Sequence, residues 1–171
     1  MSQKVGSGRL KTDAVTTASI TDSSVTAAKL DGTIPHTLSH TNGNFKTRQY
    51  VLHGATTDAT ETEIFIGGTS NSRIPVASNT TVFYEVDIVA RRTDATGESG
   101  GWHLKAVADN FSGTVADVGS VYEVQVATDD ANFAVDARAD DTNDAVGIYV
   151  TGAAGKTIRW TAIVKTFEVA Q

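Results

Sequence analysis

Two histidines are the first residues whose spacing could support chemistry. His36 and His40 are four residues apart, and on a helix this spacing would place both imidazoles on one face, as in helical zinc sites. Pro35 precedes the pair, the surrounding GTIPHTLSHTNGN is typical of a loop, and no Glu lies between the histidines to act as a base. We therefore favour a solvated linker over a metal site. His53 and His103 fall in predicted strands and need no special role.

A group of acidic residues could in principle supply oxygen ligands for Ca²⁺. It comprises Asp136, Asp140, Asp141 and Asp144. The spacing lacks the central Gly and the terminal Glu of the helix-loop-helix calcium site. Asp and Asn side chains hydrogen-bond to their own backbone in turns, so a turn between two strands is the better interpretation. The same interpretation applies to Asp129 and Asp130, which precede Ala131 and Asn132.

Catalytic motifs are the next possibility. A glycosidase needs two carboxylates that face one cleft, but the candidate carboxylates alternate along predicted strands, where they indicate solvated sheet faces: Glu61, Glu63, Glu85, Asp87 and Glu123. The glycine-rich segment 97–101 joins two predicted strands, which indicates a turn and not a phosphate-binding loop. The sequence contains no cysteine, which excludes a thiolate zinc site and a Cys nucleophile. We expect no catalytic residue, no metal site, no cofactor and no enzymatic activity.

The composition favours β structure. Thr occurs 25 times and Val 19 times, but Leu only 5 times, a balance typical of residues that pack on a pleated surface. From Phe45 onward, alternating runs are separated by Gly, Asp, Asn and Ser clusters, as in a sandwich or barrel. We expect an all-β, jelly-roll-like β-sandwich knob of about eight strands, with strands near 46–53, 61–67, 80–92, 101–109, 121–128, 132–139, 145–151 and 156–169.

Three of these runs have an obvious core face. One row contains Val82, Tyr84, Val86, Ile88 and Ala90, a second contains Trp102, Leu104, Ala106 and Ala108, and a third contains Ile158, Trp160, Ala162 and Val164. Near the end of the third run the pattern reverses. Phe167 and Val169 are apolar, but the alternation places them on the face opposite the core row. Either a bulge near Thr166 or a surface that contacts a partner would explain this change.

The first 44 residues contain no aromatic residue and follow a different pattern. Aliphatic residues recur every five positions. The repeating unit is ten residues long, and each unit contains the pattern Val-x-x-small-x-Leu/Ile. A step of five scatters side chains around a helix, alternates the faces of a strand and does not match a coiled-coil heptad. The chain therefore divides into a repetitive N-terminal segment with a linker, residues 1–44, and a β domain, residues 45–171.

Such a segment has too few apolar side chains to offset the entropy of ordering one chain alone. If three copies wind together, equivalent aliphatic residues meet at an axis and the small residues allow close approach. We therefore predict a trimerisation stalk whose contacts are Val5, Leu10, Val15, Ala18, Ile20, Val25, Ala28 and Leu30. The alternative is a disordered Thr/Ser/Ala-rich tail with accidental spacing.

Two parts of the sequence resemble bacteriophage proteins. The stretch ASITDSSVTAAKLDG is similar to the I-T-D-x-S-V-T-x-A-K-L repeats of phage tail-fibre and related virion proteins. Residues 80–169 resemble a C-terminal β domain that recurs in phage tail and fibre proteins, through the segments 90–94, 140–144 and 155–160. The resemblance implies a virion structural protein made in the cytoplasm of a bacterial host.

Three functions are compatible with this resemblance. The first is a homotrimeric tail or baseplate fibre, whose stalk attaches to other virion proteins and whose knob faces a host surface glycan or envelope protein. The second is a trimeric capsid decoration protein or head fibre, and the third, which leaves the repeat unexplained, is a free lectin-like carbohydrate-binding module.

The formal net charge of −6 argues against a nucleic-acid partner, and no apolar run is long enough for membrane insertion.

Overall fold

The computed structural model describes residues 37–171, and side-chain surroundings from residue 39. This part of the chain is all-β, with 66% of its residues in strands and no helix. Residues 36–171 form one compact unit. Its eleven strands are β1 Thr37–Asn42, β2 Phe45–Thr56, β3 Glu61–Ile66, β4 Ile74–Pro75, β5 Thr80–Arg92, β6 Ser99–Phe111, β7 Thr114–Asp117, β8 Tyr122–Thr128, β9 Ala134–Asp140, β10 Ala145–Thr151 and β11 Ile158–Ala170.

The strands form a single curled antiparallel sheet. Its central path runs β4-β10-β3-β2-β11-β5-β6-β7, and β1, β8 and β9 pair with β2, β6 and β10. The longest strands, β2, β5, β6 and β11, lie next to one another and contribute most of the wall. Each predicted strand is found, while β1, β4 and β7 were not anticipated. β1 lies within the segment assigned to the linker and pairs with β2 from Thr37–Tyr50 to Asn42–Phe45.

The three predicted core rows lie inside the curl. Their members are at most 8% exposed. Side chains alternate between faces along a strand, so these rows place every second residue of β5, β6 and β11 in the interior. Burial of apolar surface at roughly 25 cal/mol per Å² makes this interior the main source of stability.

Aromatic side chains fill one end of the interior. The rings of Trp102 and Trp160 lie 5.7 Å apart, and Phe133 packs edge-on to Trp160 at 5.8 Å. The indole N–H of Trp160 donates a 3.0 Å hydrogen bond to Oγ1 of Thr56, so the one polar atom of this buried side chain has a partner. Position 100 requires a glycine, because a Cβ there would lie 2.3 Å from the Trp102 ring.

The interior is polar at the other end. Thr166 and Glu168 are 1% and 3% exposed, and the hydroxyl of Thr166 donates a 2.9 Å hydrogen bond to the Glu168 carboxylate. Nη1 of Arg48 lies 3.2 Å from the same carboxylate and donates a hydrogen bond to the Tyr50 hydroxyl. Among the described residues, no buried side-chain polar atom lacks a hydrogen-bond partner. This end of the core is therefore held by polar contacts.

The predicted bulge near Thr166 is wrong. β11 pairs continuously with β5 from Ile158 to Ala170, and with β2 from Ile158 to Val169. The parity of β11 is therefore constant, with Thr166 and Glu168 inside and Phe167 and Val169 outside. The register therefore excludes the bulge, and the second explanation, a surface that contacts a partner, stays a prediction.

Carboxylates bridge the gap where the curl approaches closure. Strands β7 and β9 have no backbone ladder with each other among the described pairings. Asp117 on β7 accepts a 3.0 Å hydrogen bond from the backbone N–H of Ala139 on β9. Asp141, which follows β9, accepts a 2.7 Å bond from the N–H of Val115 on β7. Two side chains thus satisfy backbone donors that an open edge would leave unpaired.

We expect Trp160→Ala to destabilise the domain by about 3–5 kcal/mol, because it removes a large buried side chain and leaves a cavity. Arg159→Ala, on the exposed face of the same strand, is the matched control and should change stability by no more than about 0.5 kcal/mol. Urea unfolding of the full chain, followed by tryptophan fluorescence for the control and by circular dichroism for both, measures the difference. Equal stability of the two variants would show that the interior of the curl is not the core.

Candidate functional site

The residues predicted to form the trimer contacts, Val5 to Leu30, lie outside the described residues. The same is true of His36. His40 is exposed and lies on strand β1, opposite Thr47 of β2. The prediction of a loop at His40 is therefore wrong. The helix that a zinc site of this spacing would require is not found at His40 either. No group of three or more His, Cys, Asp or Glu residues in the described part of the chain is arranged to hold a metal ion.

Residues 141–144 form a turn between β9 and β10, as predicted, but Asp136, which was assigned to the same turn, lies within strand β9, and Asp140 is the last residue of that strand. Asp140 accepts hydrogen bonds from the backbone and side-chain N–H groups of Asn143, and Asp144 has a positive φ of 49°. Asp144 also accepts a 3.2 Å bond from the side-chain amide of Asn110, which donates to the carbonyl of Val76 as well. These carboxylates therefore fasten the turn to neighbouring strands.

Carboxylates on the strands lie beside basic side chains. Arg73 forms a bidentate contact with Glu63 at 2.7 and 2.8 Å, and Arg138 bridges Glu61 and Asp136 while its guanidinium stacks 3.5 Å above the Tyr149 ring. Two more pairs lie on the face of β5 and β6, Lys105–Glu85 at 3.0 Å and His103–Asp87 at 2.7 Å. None of these five pairs places two free carboxylates across a cleft, which is the arrangement that glycoside hydrolysis requires.

Five charged residues form an ion network at one end of the domain: Arg92, Asp94, Glu98, Asp130 and Lys156. Lys156 Nζ lies 2.6 Å from Asp130 and 2.8 Å from Glu98. Glu98 also pairs with Arg92, whose Nε lies 2.9 Å from Asp94. The network joins three turns that are distant in sequence, and a 2.8 Å bond from the N–H of Thr93 to the carbonyl of Thr157 reinforces it.

The network shifts the pKa of two carboxyl groups. Hydrogen bonds from Arg92, followed by the backbone N–H of Thr157, lower the pKa of Asp94 from 3.8 to about 2. Hydrogen bonds from Lys156 and Asn132 lower the pKa of Asp130 to about 2 as well. Both groups are therefore charged under all but strongly acidic conditions, which suits a structural role and not proton transfer near neutral pH.

An apolar band crosses the outer face at the opposite end of the domain. We define it as Phe45, Phe83, Val107, Val118, Phe167 and Val169. The pairing register places Phe167 opposite Phe83 and Phe83 opposite Val107, and the N–H of Val118 donates a 2.7 Å bond to the carbonyl of Val107. Val169 lies opposite Phe45. The band therefore extends over four adjacent strands, β2, β11, β5 and β6, and reaches the end of β7.

The band is exposed to solvent. Phe45, Val118, Phe167 and Val169 are 63%, 53%, 47% and 52% exposed, and the rings of Phe83 and Phe167 have centroids 6.0 Å apart. A shallow groove of about 370 Å³ opens beside it, between β1, β2 and β11, with His40, Thr47 and Lys165 among its lining residues. Contiguous apolar surface of this kind marks interaction sites on soluble proteins.

Sequence reasoning found only part of this band. Phe167 and Val169 attracted attention because they break the alternation of β11. Phe83 lies on the polar face of a run whose core face was assigned correctly, and Val107 and Val118 belong to different strands. Only the pairing register brings these side chains together, and the register is not readable from a single strand.

Comparison with known proteins adds no assignment: no family model matches the chain, and no curated protein is significantly similar to it. The described residues include no helix that is long and apolar enough to cross a membrane. The surface chemistry of the domain therefore carries the functional argument.

We expect the ion network to make the domain acid-sensitive. The folded pKa values of Asp94 and Asp130 are below the ordinary 3.8, so their contribution to stability is complete above about pH 4 and is lost as the pH falls toward about 2. Asp130→Asn and Lys156→Met should each reduce the loss of stability between pH 5 and pH 2.5, measured by urea unfolding. Arg159→Met, which removes an exposed cation outside any ion pair among the described residues, should leave that loss unchanged. An identical loss in all three variants would exclude the network as its cause.

Proposed function

We propose that this chain is a non-enzymatic structural protein of a bacteriophage virion, a trimeric tail or baseplate fibre whose N-terminal stalk attaches to the particle and whose β domain faces the host surface. The observation that best supports a role in an assembly, and so a virion structural protein of either kind, is the apolar band. A domain that worked alone would leave its four exposed side chains in water, whereas an assembly covers them.

The N-terminal repeat gives independent support. Its aliphatic residues, five positions apart, suit a segment that becomes dry only when several copies associate, and its sequence resembles phage fibre repeats. A closed three-fold arrangement gives each copy the same contacts and limits growth to a finite particle. The repeat and the band thus argue for self-association from separate parts of the chain.

The charged residues of the domain support a role without catalysis. Their carboxylates are occupied by Arg, Lys, His or backbone N–H groups at the strands and turns described above, which leaves few free groups for acid-base chemistry. We further infer that the curled sheet folds over itself and forms the two-layer sandwich expected from the sequence. One layer would contain β2, β11, β5 and β6, and the other β3, β10 and β9. Jelly-roll connectivity remains a prediction.

A capsid decoration protein or head fibre is the second candidate, and the width of the band favours it. A decoration protein stabilises a capsid by covering broad apolar surface between capsomers, whereas a fibre needs only a narrow contact. Electron microscopy of particles labelled with an antibody against the β domain separates these functions. Label at one tail end supports the fibre, label over the whole head supports decoration, and unlabelled particles contradict both.

We expect the full chain to sediment as a trimer and a chain without residues 1–32 to lose or weaken this association while the β domain stays folded. Val15→Asp and Val25→Asp should each disrupt the trimer, because each would place an unpaired charge at a dry axis. Analytical ultracentrifugation gives the masses, and circular dichroism reports the β structure. Trimers in both substituted chains would show that these valines are exposed, and a monomeric full chain would contradict the stalk.

A further inference from the structure

We propose that the apolar band binds a second copy of the same domain, so that the domains, and not only the N-terminal segments, contact one another in the trimer. This inference rests on the trimer of the proposed function and adds a specific surface to it.

The size of the band fits an interface core. An aromatic side chain offers roughly 150–250 Å² of surface, so the exposed fractions given above correspond to apolar area on the order of 400 Å². A standard interface buries about 800 Å² on each partner, with an apolar centre and a polar rim. The band can supply that centre, and the side chains around it can supply the rim.

The rim carries opposite charges on its two sides. Lys165 lies next to Phe167 on the outer face of β11, and Asp109 lies next to Val107 on the outer face of β6. Neither residue has an ion pair within the described part of the chain, because Glu85, which lies opposite Lys165 in the register, pairs with Lys105 on its other side. The β11 side of one copy thus matches the β6 side of the next in charge as well as in apolar character. Such a head-to-tail contact is the kind that closes a ring of three.

The entry point of the chain favours a second copy over a different protein. Residues 1–36 lead into β1 at Thr37, opposite Tyr50, and β1 then runs along β2 to Asn42, opposite Phe45 of the band. If the N-terminal segments of three chains associate, this covalent connection holds three domains near one another. The resulting effective concentration, in the millimolar range for short connections, lets even a weak contact between domains form.

A thiol probe can test whether the band is covered, because the chain has no cysteine of its own. Thr81 lies opposite Val169, between the band and Asp109, and it is exposed in the single chain. Thr161 is an exposed threonine on the same outer face, at the other end of β11, opposite Val89. Single Thr81→Cys and Thr161→Cys variants of the full chain therefore form a matched pair, and iodoacetamide labelling of each is followed by mass spectrometry.

We expect the thiol at position 81 to react at least about tenfold more slowly than the thiol at position 161 in the assembled protein, because thiol reactivity follows exposure. Adding Val15→Asp and Val25→Asp should abolish this protection as the trimer dissociates. Phe167→Gln should also weaken it, whereas Ile163→Gln, on the same face of β11 and similarly exposed, should not.

Sedimentation of the same samples separates failure of this inference from failure of the proposed function. A trimer in which both thiols react at the same rate would overturn the domain contact and leave the stalk intact. Protection at position 81 that persists in a monomer would also overturn it, because the band would then be covered by its own chain. A monomeric full chain would contradict the trimer and the contact together.

Discussion

The pairing of β11 between β2 and β5 is the constraint on which the structure depends. Thirteen residues of β11 pair with β5 without a register shift, and twelve of them pair with β2. Because side chains alternate strictly along a strand, this ladder assigns each position of three strands to the interior or to the outer face. The aromatic core around Trp160, the polar contacts of Glu168 and the outward position of Phe167 all follow from one register.

Much of this architecture is readable from alternation alone. The core rows of β5, β6 and β11 were predicted because each strand is long enough to show its period, and eight strands were placed by their flanking turns. Strands β4 and β7 have two and four residues, too few to show a period. β1 carries the sequence TLSHTN, with little apolar content, and it exists because it pairs with β2 through its backbone. Tertiary pairing, not local preference, determines such strands.

Long-range polar contacts lie beyond sequence reasoning for a different reason. Asp130 was predicted to lie in a turn, which it does, but its partner Lys156 is 26 residues away. Asp94 lies between two predicted strands, and its partner Thr157 is 63 residues away. A turn residue satisfies its own backbone whatever the fold, so its presence predicts the turn but not the cation that the fold brings beside it. The apolar band has the same limitation, because its members come from strands that lie apart in sequence. Hydropathy identified only Phe167 and Val169, and the register groups them with the other members of the band.

The inverted polarity at the end of β11 shows which interactions decide the register. A shift of one residue would bury Ile163, Phe167 and Val169 and would release Glu168, which relieves the desolvation cost of a carboxylate inside the fold. The same shift would expose Ile158, Trp160, Ala162 and Val164, each of the larger ones at a cost of about 1.5–3 kcal/mol. The four inner residues outweigh the three outer ones, and the shift would also bury Arg159 and Lys165, so the ladder holds and Arg48 and Thr166 offset the burial of Glu168. Three large apolar side chains thus remain on the outer face of β11, where the described part of the chain leaves them exposed. In the proposed trimer, the cost of Phe167 and Val169 to a single domain would become a contribution to stability.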